Sequence, residues 1–228
     1  MSQQPSKQRH LITVTNPRSP VSEAFRALRT NIDFSSVDKQ IQIIMVTSSG
    51  PEEGKSTVTA NLAAAYAQAD KKVLLIDGDL RKPTAHKTFS LSNRAGLSSL
   101  LSQQAELEDV VQDSGVTNLS IMTSGPIPPN PAEMMASNRM SAVLQELRQR
   151  YDMILFDTPP LLAVTDAQIV ASKSDGVIMV VSYGKVKRDI AAKAKANLDR
   201  VGAKMLGVVL NNVKRKASEG YYYYYYGN

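Results

Sequence analysis

The chain has 228 residues and a formal net charge of +6. It contains no cysteine, which excludes disulfides, thiolate metal sites and a cysteine nucleophile. With 43% hydrophobic residues it has enough apolar side chains for a core, and its length predicts one α/β domain. The polar N-terminus does not resemble a signal peptide, and no apolar run is long enough for a membrane-spanning helix.

The predicted elements alternate between helices and strands along the chain. Residues 1–19 are predicted to form an extended N-terminal arm, and a helix is predicted from near Ser22 through EAFRALRTNI. Apolar strands are predicted over 41–48, 72–77, 118–125, 151–157, 175–182 and 204–212. Helical segments are predicted from Gly54, as short stretches within 96–112, after the Pro-rich segment GPIPPNP, and over 140–150, 165–172 and 187–202. This alternation indicates a mostly parallel sheet with helices on both faces, in one domain over 20–213 followed by a flexible tail over 214–228.

The segment SSGPEEGKST predicts a phosphate-binding loop, because it follows an apolar strand and opens a helix. A tight loop turns its backbone N–H groups toward phosphate, and the helix N-terminus adds positive charge. Lys55 is expected to reach the outer phosphates, and Ser56 to place its hydroxyl on Mg²⁺. Ser49 stands where this motif usually has its first glycine. The loop residues predicted to bind nucleotide are Gly50, Glu53, Gly54, Lys55, Ser56 and Thr57.

Three aspartates follow predicted strands. Asp77 ends VLLID, Asp79 comes two residues later, and Asp157 ends YDMILFD. Because ligands bind at the carboxyl edge of parallel sheets, these acids are expected to lie near the loop, with Asp157 as a Walker B carboxylate. Taken alone, Asp77 and Asp79 fit equally well as loop aspartates near a helix N-terminus. A third acid exceeds the needs of a metal, and it can accept the proton of an attacking hydroxyl.

The loop and the aspartates together resemble the P-loop superfamily branch with a second, Walker A′-like aspartate motif. That branch includes partitioning and division-site ATPases, which carry an additional lysine in GKGGxGK. Gly50 occupies the position of that lysine here. Its absence disfavours a nucleotide-switched ATPase of that class, which remains the alternative function. A scaffold that binds nucleotide without transfer is disfavoured by the intact lysine and aspartates.

Six consecutive tyrosines lie near the C-terminus: Tyr221, Tyr222, Tyr223, Tyr224, Tyr225 and Tyr226. One interpretation is a low-complexity aromatic segment that associates non-specifically. The other is a set of phosphoacceptors for the ATP site. A tyrosine hydroxyl has a pKa near 10, so it is a poor nucleophile at neutral pH until a base removes its proton. Each phosphate would add about 1.5 to 2 negative charges.

With these features, the chain resembles the bacterial tyrosine kinases (BY-kinases) of capsule and exopolysaccharide synthesis, in the form whose cytoplasmic kinase is a separate chain. The segments DGDLRKP, TSGPIPPNPAE, FDTPP and TDAQ carry the resemblance together with the tyrosine cluster. So does the E-x-x-R-x-x-R pattern of Glu23, Arg26 and Arg29. The resemblance covers nearly the whole chain and implies a P-loop NTPase-like fold.

The resemblance implies that Lys55, Ser56 and Thr57 bind Mg·ATP and that the three aspartates organise the metal and the proton transfer. By family analogy Asp77 is favoured as the base. Asp79 and Asp157 would then hold Mg²⁺ through water, beside the Ser56 hydroxyl. Transfer is expected in line, to tail tyrosines of a neighbouring subunit. Asn211 or Asn212, at the end of the last strand, is either an adenine contact or an ordinary strand-end asparagine.

The resemblance also implies partners. It predicts a homo-oligomeric ring, an octamer, with the helix of Glu23, Arg26 and Arg29 in its interface. Because these residues are spaced by three, they share one helix face; the alternative explanation of that spacing is an ordinary intrahelical ion pair. A membrane activator similar to polysaccharide co-polymerases, a cognate tyrosine phosphatase and a cytoplasmic location at the inner membrane face are further expectations.

Nucleic acid is not expected as a partner. Basic runs at 185–188 and 214–216 could attract nucleic acid, anionic lipid or nucleotide phosphate, although an ordinary solvated surface accounts for them as well. Aromatic residues do not alternate with the basic ones, and neither a zinc finger nor an RNP-like motif is present.

Overall fold

A computed structural model describes residues 11–35 and 41–213. Within these residues, seven strands form one sheet in the order β3-β4-β2-β5-β1-β6-β7. All neighbouring strands pair in parallel except β3 and β4, which are antiparallel. The strands are β1 (Ile43–Ser48), β2 (Val73–Asp77), β3 (Val111–Asp113), β4 (Leu119–Met122), β5 (Met153–Asp157), β6 (Gly176–Ser182) and β7 (Met205–Asn211).

Helices cover both faces of the sheet. In the described part of the chain they are α1 (Ile12–Thr15), α2 (Pro20–Phe34), α3 (Lys55–Ala67), α4 (Ala85–Phe89), α5 (Leu97–Leu101), α6 (Leu107–Val110), α7 (Pro131–Ala136), α8 (Asn138–Arg150), α9 (Asp166–Lys173) and α10 (Arg188–Arg200). Side chains of α2, α3 and α4 join one buried apolar cluster, and those of α5 through α10 join a second. The two clusters divide the strand residues between them, so β1, β2, β5 and β6 are buried throughout.

The sequence predictions of fold class and strand positions are confirmed. All six predicted strands are present, with ends within three residues of those expected. The sequence analysis missed β3, because it assigned the segment ELEDVVQ to a helix. That segment divides into α6 and then β3, which is three residues long and lies at the sheet edge. A short, partly exposed edge strand has too few residues to show alternation.

The N-terminal arm differs from the expectation where the structure describes it. Residues 12–15 form helix α1, and Thr13 is buried. The backbone N–H and the hydroxyl of Thr13 both donate to Oδ1 of Asn61 on α3, each at 3.1 Å. Ser19, with Pro20 next, caps α2, one turn earlier than the predicted start. These residues therefore pack on the domain instead of extending from it. Residues 1–10 lie outside the described part.

The predicted tail over 214–228, with all six clustered tyrosines, also lies outside the described residues. Within the described ranges, every helix is too short or too polar to cross a bilayer.

Candidate active site

The phosphate loop lies between β1 and α3, as predicted. Gly54 has a left-handed backbone conformation, with φ of 93°, and immediately precedes α3. A Cβ atom there would come within 2.0 Å of Nδ2 of Asn211, so both the conformation and the space require glycine. The loop therefore presents its backbone at the helix N-terminus, where N–H groups and the helix dipole favour phosphate.

Glu53 fixes the shape of this loop from inside. Its side chain is buried, and Oε1 accepts hydrogen bonds from the Ser49 hydroxyl at 2.5 Å and from the backbone N–H of Gly50. Among the described residues, Oε2 has no hydrogen-bond partner. Ser49, the departure from the usual motif, thus contributes a side-chain contact where glycine has none. The structure places the Glu53 carboxylate on the loop itself, beside the predicted nucleotide site.

Asn211 contacts the same loop from the edge of the sheet. Its Nδ2 donates to the backbone carbonyl of Glu53 at 2.9 Å. The sequence analysis named Asn211 for an adenine contact, a role that stays a prediction. The described contact is with the phosphate loop.

The aspartates meet at the carboxyl ends of adjacent strands. Asp77 and Asp157 are paired in register on β2 and β5, and Asp79 follows β2. All three are buried. The Lys55 ammonium lies 3.5 Å from Oδ2 of Asp79, 3.5 Å from Oδ1 of Asp157 and 3.4 Å from the Ser56 hydroxyl. The structure thus brings the predicted lysine and acids into one cluster.

Asp77 is tied to the backbone of the segment after β2. Its Oδ2 accepts from the N–H groups of Thr84 and Ala85, each at 2.8 Å, and its Oδ1 accepts from Asp79 N–H at 3.2 Å. Burial, together with the negative charge of Asp157, raises the pKa of Asp77 to about 7, and the two backbone hydrogen bonds at Oδ2 and the charge of Lys55 act in the opposite direction. A carboxyl group with this pKa exchanges a proton near neutral pH.

A cavity of about 500 Å³ lies beside the loop. Of the three aspartates, Asp79 lines it, together with residues 54–57 of the loop and the start of α3. Asp157 and Ser56 line a smaller adjoining cavity. The remaining lining residues are Pro51, Glu52, Arg81, Lys82, Thr84, Pro159, Pro160, Ala163 and Val164.

The donor set fits a magnesium ion. Ser56, Asp79 and Asp157 offer hard oxygen ligands around the lysine. Within the described ranges, no three His, Cys, Asp or Glu side chains form a metal-binding group by themselves. Mg²⁺ in a phosphate-loop site does not need one, since it binds through one or two carboxylates, waters and the phosphates of the nucleotide.

Sequence reasoning missed one ion pair at this site. Arg81, after β2, pairs with Asp166, the first residue of α9: Nε lies 2.9 Å from Oδ2, and Nη2 lies 3.1 Å from Oδ1. The side chain of Asp166 is 1% exposed and that of Arg81 is 43% exposed. Both residues lie in segments that carry the family resemblance, DGDLRKP and TDAQ, yet nothing in the sequence indicates that the two side chains meet.

The three α2 residues predicted for an interface make contacts within their own chain. Nε of Arg26 lies 2.7 Å from Oε2 of Glu23 in an exposed pair. Arg29 instead donates to the carbonyl of Ala65 in the last turn of α3, at 2.8 Å. The predicted intrahelical pair is therefore present, and Arg29 links α2 to α3.

The fold and the site define a phosphate-loop nucleotide-binding domain, and residues 41–189 match a family model described as an AAA domain. The tyrosine-protein kinase YwqD of Bacillus subtilis is 51% identical over 207 residues, which are 91% of this chain and 87% of YwqD. The putative tyrosine-protein kinase CapB of Staphylococcus aureus is 42% identical, with 90% of each chain covered. The chain belongs to the bacterial tyrosine-kinase family, so it binds nucleotide and phosphorylates protein tyrosine.

Solved structures agree with this assignment. The chimerical protein CapA2B2 is 44% identical, with 90% of each chain covered and a TM-score of 0.88. The septum site-determining protein MinD of Pyrococcus horikoshii, complexed with Mg-ADP, is 27% identical, with a TM-score of 0.66 over 77% of this chain and 72% of that one. The predicted kinase family is confirmed, while the alternative class of division-site ATPases shares the fold at lower similarity.

Proposed function

We propose that the chain transfers the γ-phosphoryl group of Mg·ATP to tyrosines 221–226 of a neighbouring copy. In this way it regulates the synthesis or export of a capsular or exocellular polysaccharide. The observation that carries the proposal is the position of Lys55. Its ammonium lies between two buried carboxylates, at the N-terminus of α3, in a cavity large enough for phosphates and an incoming side chain.

The transfer would proceed in line. The tyrosine hydroxyl oxygen forms the new bond to phosphorus, the bond from phosphorus to the ADP oxygen breaks, and the hydroxyl proton passes to an aspartate. Asp77 is the proposed base, because its pKa of about 7 suits proton transfer at neutral pH. Lys55 and the loop N–H groups would stabilise the phosphate charge.

Magnesium would be held by Ser56, Asp79 and Asp157 together with the phosphates. It would neutralise phosphate charge during transfer. The MinD structure with Mg-ADP supports this cofactor, since that protein shares the fold.

The assembly is proposed from the family resemblance. A ring of eight copies would place the α2 face of Glu23 and Arg26 against a neighbour, while Arg29 would hold that helix on α3. Phosphorylated tails would be repelled by the aspartates, so the ring would dissociate as phosphate accumulates. A membrane activator would recruit the cytoplasmic chain to the inner membrane face, and a cognate phosphatase would reset it.

Intact-mass measurement tests the acceptor. The chain, fused to the cytoplasmic segment of its activator, is incubated with Mg·ATP and compared with Lys55→Met and with all six tail tyrosines changed to Phe. The parent should gain several phosphates and both variants few or none. A hexa-Phe chain that gains as much phosphate as the parent would rule out the tail as acceptor.

A mixing experiment tests transfer between copies. The Lys55→Met chain keeps its tyrosines but lacks activity, and the hexa-Phe chain keeps activity but lacks acceptors. Phosphate should therefore appear on the Lys55→Met chain only in the mixture. If each chain stays unmodified in the mixture while the parent is phosphorylated, transfer occurs within one copy.

A further inference from the structure

Five of the residues that line the active-site cavity are apolar and do not suit phosphate. We call this surface the prolyl wall; it consists of Pro51, Pro159, Pro160, Ala163 and Val164. The cavity is also lined by Lys55 and Asp79, whose side chains are only 13% and 7% exposed. Phosphates bind to N–H groups and cations, so the prolyl wall is available to an apolar part of the second substrate.

Arg81 lines the same cavity, and Asp166 fixes its guanidinium with two hydrogen bonds. The buried carboxylate compensates the positive charge and occupies two of the five N–H donors, which weakens Arg81 as a phosphate ligand. The Arg81 side chain is 43% exposed, and the planar face of a guanidinium can stack on an aromatic ring. Asp166 follows the β5–α9 connection that carries most of the prolyl wall, so the pair links Arg81 to that wall.

We propose that Arg81, positioned by Asp166, forms with the prolyl wall a subsite for the aromatic ring of the acceptor tyrosine. The ring would lie between the guanidinium and the wall, with its hydroxyl directed at Lys55 and Asp79. A serine or threonine has no ring to fill the subsite, and its hydroxyl lies too close to the backbone to reach Lys55 and Asp79. The subsite therefore selects tyrosine. This inference rests on the tyrosine-kinase activity and holds whichever protein supplies the acceptor.

Peptide binding to the full chain tests the subsite. The tail tyrosines are changed to Ser in this background, because Tyr or Phe in the tail would compete for the site. The probes are synthetic peptides of residues 217–228 and two matched versions with all six tyrosines replaced by Phe or by Ser. Calorimetry gives their dissociation constants in the presence of Mg²⁺ and a non-hydrolysable ATP analogue. A fluorescent ADP analogue reports nucleotide affinity separately.

The Tyr and Phe peptides should bind with similar affinity, and the Ser peptide at least about tenfold more weakly, since the ring is what is recognised. Arg81→Lys and Asp166→Asn should each weaken the Tyr peptide about three- to tenfold, with nucleotide affinity within about twofold of the parent. The double variant should bind the Tyr peptide with about the same affinity as the single variant that binds it less tightly, because both changes disturb one contact. Arg150→Lys, in an exposed ion pair on α8, is the matched control.

Several outcomes overturn the proposal. These are an unchanged affinity in Arg81→Lys, a Ser peptide that binds as well as the Tyr peptide, or no binding of any peptide. A parallel loss of nucleotide affinity would mean that Arg81 contacts phosphate. If the Arg81 and Asp166 variants have a lower Tm and lose peptide and nucleotide affinity equally, the Arg81–Asp166 ion pair only joins two loops. A separate incubation of the parent chain, with its tail tyrosines intact, with Mg·ATP and the Tyr peptide distinguishes the two proposals. If the peptide is phosphorylated while the chain's own tail stays unmodified, the tail proposal fails and the subsite stands.

Discussion

The side-chain amide of Asn211 donates a hydrogen bond to the backbone carbonyl of Glu53 across 2.9 Å, although 158 positions separate the two residues. The contact joins the end of the edge strand β7 to the phosphate loop. The same amide nitrogen lies where a side chain at Gly54 would have to be. The last strand of the sheet therefore contacts the phosphate loop directly.

Asn211→Ala should weaken nucleotide binding about two- to tenfold, because a single hydrogen bond of this kind contributes roughly 0.5–1.5 kcal/mol. Titration with a fluorescent ADP analogue measures the effect. Leu210→Ala, at an exposed position on the same strand, is the control and should bind like the parent. If Asn211→Ala retains the parent affinity, the contact does not hold the loop in a binding conformation.

Glu53→Ala should weaken nucleotide binding by about tenfold or more, because it removes the acceptor for both Ser49 and Gly50. Glu53→Gln keeps an oxygen at that position and should stay within about threefold of the parent. The same titration compares the two variants. Equal losses in both would show that the negative charge of Glu53, and not its acceptor geometry, is what the loop requires.

The stability of the nucleotide-free protein should depend on the ionisation of Asp77. The pKa of this group rises from 3.8 to about 7 on folding, so the fold favours its protonated form. Its contribution to stability is complete below about pH 4 and is lost as the pH rises through about 7. Asparagine cannot ionise. From pH 4 to pH 8 the parent should therefore lose stability relative to Asp77→Asn, on the order of 1–4 kcal/mol.

Urea unfolding at several pH values, with EDTA and without nucleotide, measures this difference. Metal must be excluded because a bound cation would favour the ionised carboxylate. A difference between parent and Asp77→Asn that stays constant with pH would mean that Asp77 titrates near its ordinary value in the fold.

The α2 residues should divide into two groups when each is changed to Ala. Arg29→Ala should lower the free energy of unfolding by roughly 1 kcal/mol, because it removes a charged donor from the C-terminal turn of α3. Glu23→Ala should change it by less than about 0.5 kcal/mol, since exposed ion pairs contribute little. Arg26→Ala also removes a hydrogen bond to the Pro17 carbonyl, but that bond is exposed, so the loss should stay below that of Arg29→Ala.

Sedimentation analysis of the same variants tests the proposed ring. Glu23→Ala and Arg26→Ala should shift the population toward single copies if this face meets a neighbour. An unchanged mass distribution in both variants would leave α2 with a role inside one copy only. Lys195→Ala, which breaks an exposed pair on α10, controls for general loss of surface charge.

The parts of the site that follow one another in the chain were predictable. Lys55 and Ser56 were identified because a glycine-rich turn between a strand and a helix forms locally. Asp77 and Asp157 were placed together because parallel strands end at the same edge of a sheet. The structure differs from the sequence prediction at ELEDVVQ and at residues 11–19, where tertiary packing overrode the local preference.

The sequence by itself determined the fold class, the phosphate loop and the positions of the aspartates, because hydrophobic periodicity and contiguous motifs record local structure. The kinase family followed from the resemblance of its motifs and tyrosine cluster to a known family. Only the tertiary structure decided that Asn211 holds the loop, that Arg81 pairs with Asp166 and that Arg29 reaches Ala65. Each of these contacts joins residues 36 or more positions apart. Such pairs have no periodic pattern in the chain, since the strand order and the helix packing bring them together.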